Sequence, residues 1–380
     1  MTACVWIGAL ACLANLACDT AAQTEAPTGA APQASTQTSY KVEVVAEGLE
    51  IPWGIAFAPD GRIFVTERPG HVRVIEKGRL LSQPLLVLSD LRTGGECGLM
   101  DITLDPDFSR NGWVYLTYVS ESSNEVRVAR FTERDGKLVD ERLVLGGITA
   151  GMFHAGCRAR FGPDKKLYVT TGELFEGDRA QDMNDLCGKT LRINPDGSVP
   201  TNNPFFGQSG KRGEIWSFGH RNSQGIAWHP ETGMMVQTEH GPSGGDAPGG
   251  GDEVNVVERG KNYGWPIIHH KMTQAGLESP ALEYTPAVAP AGATFCTGKR
   301  FPGWKNHFFF ACLRGERIIR VQFDGKRTVA QEDLFKGQYG RIRDVAEGPD
   351  GYIYFCTSNR DGRGSPRAAD DRIFRIVPAN

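Results

Sequence analysis

The chain has 380 residues, of which 23% are charged, and a formal net charge of −3. Nothing in this balance favours nucleic acid or an anionic membrane surface as a partner, and the length places no limit on core size. Its 47 glycines and 22 prolines, beside 40% hydrophobic residues, predict many short strands joined by tight turns rather than a helical bundle.

Residues 1–18, MTACVWIGALACLANLAC, are apolar and end in small residues. The run is too short and wrongly flanked for a spanning helix and reads as an export signal, although the usual basic start is missing. Cys18 follows Leu16-Ala17, and Cys12 has a similar context, so a lipid anchor on the mature N-terminus is an open alternative to a plain signal. The expectation is an exported protein, periplasmic or tethered to a membrane. Residues 19–39 are rich in Ala, Thr, Gln and Pro and predict a flexible linker that buries no core. Six of the nine cysteines follow it. In an exported protein Cys296 with Cys312, and Cys157 with Cys187, are candidate pairs. Buried free thiols are the alternative, and no CxxC spacing suggests zinc.

From Tyr40 onward one pattern returns six times: an apolar run, a Pro-containing turn, then a more aromatic run. The copies are IAFAPDGRIFVTER, ITLDPDFSRNGWVYLTYV, ARFGPDKKLYVTTGE, IAWHPETGMMVQTEH, ATFCTGKRFPGWKNHFFFACLRG and VAEGPDGYIYFCTSN. Each interval leaves room for two further strands, such as HVRVIEKG and VRVARFTER. Four-strand units at this spacing predict an all-β fold over residues 40–380, a six-bladed β-propeller with four-stranded antiparallel blades. The strand-like ends YKVEVVAEG and DRIFRIVP are expected to share the last blade and so remove two open edges.

If each Pro turn joins the first strand of a blade to its second, the residues before first strands and after second strands project to the opposite face. There the pattern places Glu96, His154, Arg158, Arg221, Asn222, Arg341 and Arg343, and also Glu173, Gly241, Pro242 and Arg314. The stretch Trp216–Pro242, two apolar runs around Pro230, would bring Arg221 and Asn222 beside Gly241 and Pro242 at one rim. His154 with Glu173 suits a general base whose second ring nitrogen is held by an acceptor. Several arginines without a phosphate-binding Gly loop suit carboxylates or quinone-like carbonyls. Backbone carbonyls at Gly241 and Pro242 are hard oxygen ligands that suit calcium. Asp246, Asp252 and Glu253 in the adjoining SGGDAPGGGDE run read as a solvated Gly-rich loop in preference to metal ligands.

In order along the chain, CGLMDITLDPDF, FHAGCRARF, TGE, AQDMNDLCGKTLRINPDGSVPTNNPF, GHRNSQG, EHGP, GKNYGWP and GRIRDV resemble the soluble, pyrroloquinoline-quinone (PQQ)-dependent aldose sugar dehydrogenases, relatives of soluble quinoprotein glucose dehydrogenase. The resemblance runs from about Val42 to Val377. It implies a six-bladed propeller carrying PQQ and Ca2+, and oxidation of aldose sugars at C1 to lactones. It implies that His154 takes the C1 hydroxyl proton while hydride passes to C5 of the quinone, with Glu173 orienting the imidazole. Arg221 and Asn222 match the pair on the quinone O5, Gly241 and Pro242 the calcium ligands, and Arg341 and Arg343 the groups on the cofactor edge. Electrons would leave to a separate acceptor, a quinone or a cytochrome.

Four departures stand out. Arg314 replaces a Lys, Glu96 replaces a Gln beside the cofactor, Cys157 replaces a small residue, and the chain between Pro242 and Asp252 is longer than the family's GPRGGDE run. Two competing readings are a non-catalytic propeller module of the hedgehog-interacting-protein-like type and a calcium-dependent lactonase. The first would have lost the His or the Arg-Asn pair; the second needs a carboxylate-rich metal centre.

Overall fold

A computed structural model describes residues 39–244, 246 and 248–379. The export signal, nearly all of the linker and the lipid-anchor cysteines lie outside these residues. Six antiparallel sheets follow one another along the chain. Their innermost strands are Pro52–Phe57, Leu99–Leu104, Ala159–Phe161, Ser223–Trp228, Pro290–Phe295 and Ile342–Glu347. Each touches the next and the last returns to the first, closing a six-bladed propeller. All six first-to-second strand connections carry the turn prolines. The first blade departs from the regular plan, because its outer position is split between Arg79–Leu80 and Leu86–Val87.

Ring closure is as the terminal sequences predict. Tyr40–Ala46 pairs antiparallel with Ile373–Pro378, from Tyr40 opposite Pro378 to Ala46 opposite Ile373. The N-terminal strand thus completes the last blade and covers its edge. Burial follows position in the blade. Second strands such as Ile63–Glu67, Phe308–Cys312 and Ile353–Thr357 are buried at every residue, because blades press on both of their faces. They therefore lose the polar alternation of a one-sided strand. The outermost Arg327–Leu334 is mostly exposed. Between the last two blades Phe309, Phe355, Phe374 and Trp304 form a shared apolar layer.

The six cysteines in the propeller are all buried free thiols, so the two candidate disulfides are not formed. The hairpin geometry explains Cys296 and Cys312. Cys296 lies at the turn and its amide bonds the His307 carbonyl, whereas Cys312 lies at the far end opposite Pro290.

Candidate active site

The central hairpin forms as its sequence predicts. Ser223–Trp228 pairs with Met235–Glu239, starting with Ser223 opposite Glu239. The His240 amide then donates to the Asn222 carbonyl at 3.0 Å. Arg221, Asn222, Gly241 and Pro242 therefore meet at one rim, all buried.

His154 and Glu173 meet there too. His154 precedes the third blade's first strand, and Glu173 follows its second. Imidazole Nδ1 lies 2.8 Å from Glu173 Oε2, with the two side chains 4% and 0% exposed. The carboxylate accepts, so Nδ1 carries the proton and Nε2 keeps its lone pair. The same Oε2 accepts from the Phe175 amide at 2.6 Å, and the Phe175 ring lies against the imidazole with centroids 3.8 Å apart. This packing needs unusual backbone. His154, Leu174 and Phe175 have φ of 54°, 67° and 62°, a left-handed region that costs non-glycine residues of order 1 kcal/mol or more each. Gly172 is required for the approach, since a Cβ there would run into the His154 carbonyl.

Glu96 ties the base to the amide. Its Oε2 accepts from the His154 amide at 3.0 Å and from Asn222 Nδ2 at 3.1 Å. Burial alone would raise this carboxyl, but His240, His154, Asn222 and Arg343 outweigh it and hold the group below the usual range. The Asn222 Oδ1 accepts from the Gly156 amide and Gln224 Nε2, which fixes its orientation.

Beside this network lies a cavity of about 330 Å³, whose walls include Glu96, Gly241, Arg314, Arg341 and Arg343. Arg341 is held by Asp361 through two contacts of 2.8 Å. Arg343 is less satisfied. Only Nη1 is bonded, to Gln224 Oε1 at 3.2 Å, and the buried Nε has no partner among the described residues. Burial, only partly offset by Asp361, lowers its pKa to about 10. Arg314 lines the same cavity with no hydrogen bond or ion pair among the described residues. Arg68, which sequence reasoning missed, lines it too, and burial lowers its pKa. It stands at the end of a second strand, the position that flagged Glu173.

Ser243, Gly244, Pro248 and Gly249 of the Gly-rich run are exposed, as a solvated loop requires, but its acids are engaged. Asp252 is 2% exposed. Its Oδ1 accepts from the Gly241 amide at 2.8 Å, and its Oδ2 accepts from the Val288 and Ala289 amides at 2.7 Å each. Asp246 holds Arg221, with its Oδ2 3.0 Å from Nε and 2.6 Å from Nη2. Glu253 sits in a strand opposite Glu239. No group of three His, Cys, Asp or Glu side chains able to hold a metal occurs among the described residues. Of the two candidate carbonyls, that of Pro242 accepts from the Gly250 amide at 3.1 Å and keeps its second lone pair. A Cβ on Gly241 would collide with the Gly250 and Gly251 carbonyls, so only glycine admits this packing. A carbonyl donor set of this kind fits a hard cation such as calcium, and a wall of under-bonded arginines fits an anionic, carbonyl-rich cofactor.

One expected member leaves the site. Arg158 is 1% exposed and turned into the channel, where Nη1 meets Asp101 at 2.8 Å and Asp344 at 3.3 Å. Its charge is already met, so it belongs to the core.

Comparison with known proteins agrees with this arrangement. Residues 49–366 match the family model "Glucose / Sorbosone dehydrogenase". The aldose sugar dehydrogenase YliI of Escherichia coli is 33% identical over 354 residues, covering 87% of this chain and 94% of the relative. A solved oxidoreductase of Thermus thermophilus, described as a glucose dehydrogenase, is 39% identical with a TM-score of 0.82, covering 89% of this chain and 100% of that one. The PQQ-bound aldose sugar dehydrogenase of Streptomyces coelicolor is 33% identical with a TM-score of 0.79, over 90% and 98%. The chain belongs to the Glucose / Sorbosone dehydrogenase family and is an oxidoreductase of the quinoprotein, sugar-oxidising type.

Proposed function

We propose that the protein oxidises the C1 hydroxyl of aldose sugars to lactones, with PQQ and Ca2+ as cofactors and a separate quinone or cytochrome as electron acceptor. The observation that carries this reading is the buried His154–Glu173 pair beside a cavity walled by under-bonded arginines. When bound, the quinone supplies the hydride acceptor and calcium the Lewis acid that polarises it. Arg314, Arg341, Arg343 and Asn222 would hold the quinone, and the Gly241 and Pro242 carbonyls the metal.

The chain's own part is proton transfer and positioning. His154 takes the C1 hydroxyl proton at Nε2, the nitrogen without a partner among the described residues. Glu173 holds the other nitrogen and stabilises the imidazolium that results. Its Oε1 has no hydrogen bond among the described residues and lies 3.8 Å from Arg221 Nε. Glu173 thus couples the base to the cation next to it. Arg221, stacked between the Phe175 and Trp265 rings at 5.5 and 5.4 Å and held in place by Asp246, would set its guanidinium where the acceptor of the hydride gains negative charge.

The reading extends to the cell. An exported protein, periplasmic or held by a lipid on Cys18, would meet sugars outside the cytoplasm. Mass spectrometry of the mature N-terminus checks this, and an unmodified start beyond Cys18 excludes the anchor. For the chemistry, His154→Ala should lower turnover by roughly 10²–10⁴ while quinone binding, followed by absorbance, stays near wild type. Full turnover in that variant would assign the proton to another group.

A further inference from the structure

Three carboxylates among the described residues face the arginine-walled cavity: Glu96, Asp252 and Asp361. Two are already engaged. Asp252 accepts from three backbone amides, and Asp361 holds Arg341. Glu96 makes no ion pair among the described residues, and only its Oε2 is bonded, to the His154 amide and Asn222 Nδ2. Resting on the dehydrogenase reading above, we propose that Glu96 sets the redox balance of the bound quinone. Its fixed negative charge disfavours the reduced form, so that the electrons leave to the separate acceptor.

Two observations carry this. The first is place. Glu96 is one hydrogen bond from Asn222, the amide that the reading sets on the quinone, and it touches the backbone of the base. Arg221, next to Asn222 in the chain, favours negative charge growing on the hydride acceptor, and Glu96 opposes it. The second is rigidity. The Glu96 amide donates to the Met152 carbonyl at 2.8 Å, while the His154 amide donates back to the Glu96 side chain at 3.0 Å. A Cβ on Gly95 would collide with that same Met152 oxygen, so only glycine admits the approach. A carboxylate laced in this way cannot turn aside as charge arrives on the cofactor, so the cofactor feels its field in full.

One turnover moves two electrons and two protons. C1 gives a hydride to the quinone, the hydroxyl proton goes to His154, and the sugar leaves as the lactone. The acceptor, a quinone or a cytochrome, then takes the two electrons, and the two protons pass to it or to water. With Arg221 alone the reduced cofactor would be a sink; Glu96 keeps it reducing enough to pass its electrons on.

The test is a binding ratio, which needs no turnover. Quinone-free protein with calcium is titrated calorimetrically with oxidised quinone and, without oxygen, with chemically reduced quinone. Glu96→Gln should raise the affinity for reduced over oxidised quinone about tenfold, the size of one charge interaction across a partly solvated site. For a two-electron couple that is a rise of about 30 mV in midpoint potential, and spectroelectrochemical titration of the loaded protein should find it. Glu96→Asp, which keeps the charge, should leave the ratio near that of wild type. A shift as large as that of the Gln variant would assign the effect to shape and overturn the proposal. Glu96→Ala removes the charge and the hydrogen bonds together; even where it loosens both forms, it should move the ratio the same way. A purely structural role weakens both forms alike, so an unmoved ratio in the Gln and Ala variants overturns the proposal and leaves the dehydrogenase reading standing. Binding of neither form by folded wild type overturns that reading and the proposal with it.

Discussion

Two arginines packed on one indole divide this molecule into structure and function. Arg158 and Arg343 both lie over Trp53, at 4.2 and 5.4 Å, and both bond Gln224. Arg158 Nε donates to its backbone carbonyl at 3.0 Å, and Arg343 Nη1 to its side-chain oxygen at 3.2 Å. Arg158 then finds Asp101 and Asp344, with Arg160 sharing the same two carboxylates. Burial raises the Asp344 pKa, and the two arginines pull against that rise. Arg343 finds no such partner and fronts a cavity. Arg158 also leaves one nitrogen unbonded, so an orphan N–H alone does not mark a ligand site. What separates Arg343 is that no carboxylate pairs with it and that it fronts open volume.

The comparison breaks most easily at Arg158. Arg158→Ala leaves two buried aspartates facing only Arg160, and should cost about 3–5 kcal/mol of stability, read from urea or guanidinium unfolding. A loss below about 1 kcal/mol would show that the cluster is not the structural half. Arg343→Ala should behave oppositely. Folding stability should hold or rise, since an under-bonded buried cation is removed, while quinone affinity falls about 10- to 100-fold, as for loss of a charged hydrogen-bonding group. Calorimetric titration separates these outcomes, and unchanged affinity would take Arg343 out of the cofactor site.

Lys189 sharpens the contrast, being buried with only backbone carbonyls for company, Arg179 O at 2.7 Å and Cys187 O at 2.8 Å. Burial lowers its pKa to about 8. Between about pH 8 and 10.5 the unfolded chain then holds a proton that the folded chain has released, so this group makes stability rise with pH across that window. Lys189→Met should remove that part of the slope. Parallel stability-versus-pH curves for wild type and variant would contradict the assignment.

The fold is legible in the sequence because each blade repeats its own Pro-turn hairpin, and hairpin register then dictates which residues share a rim. The same rule is enough to set Arg221 against Gly241 and His154 against Glu173. It does not distinguish Arg158 from Arg343. Arg158 stands just before the first strand Ala159–Phe161 and Arg343 at the start of the first strand Ile342–Glu347, and the aspartates that claim Arg158 lie inside the apolar runs LMDITL and IRDVAE, where nothing marks them as its partners. Asp246 escapes the rule for a different reason. A Gly-rich run has no periodicity, so only its three-dimensional path shows that it ends on a guanidinium. The free thiols follow from the same hairpin rule applied to Cys296 and Cys312, at opposite ends of one strand pair.

The most direct measurement is reconstitution of the purified, quinone-free protein. Quinone and calcium together should restore aldose-dependent reduction of an artificial dye, without nicotinamide, and chelator present during reconstitution should prevent it. Quinone should bind with one-to-one stoichiometry, and Arg343→Ala should weaken that binding. No quinone binding by folded wild-type protein, with or without calcium, would contradict the account.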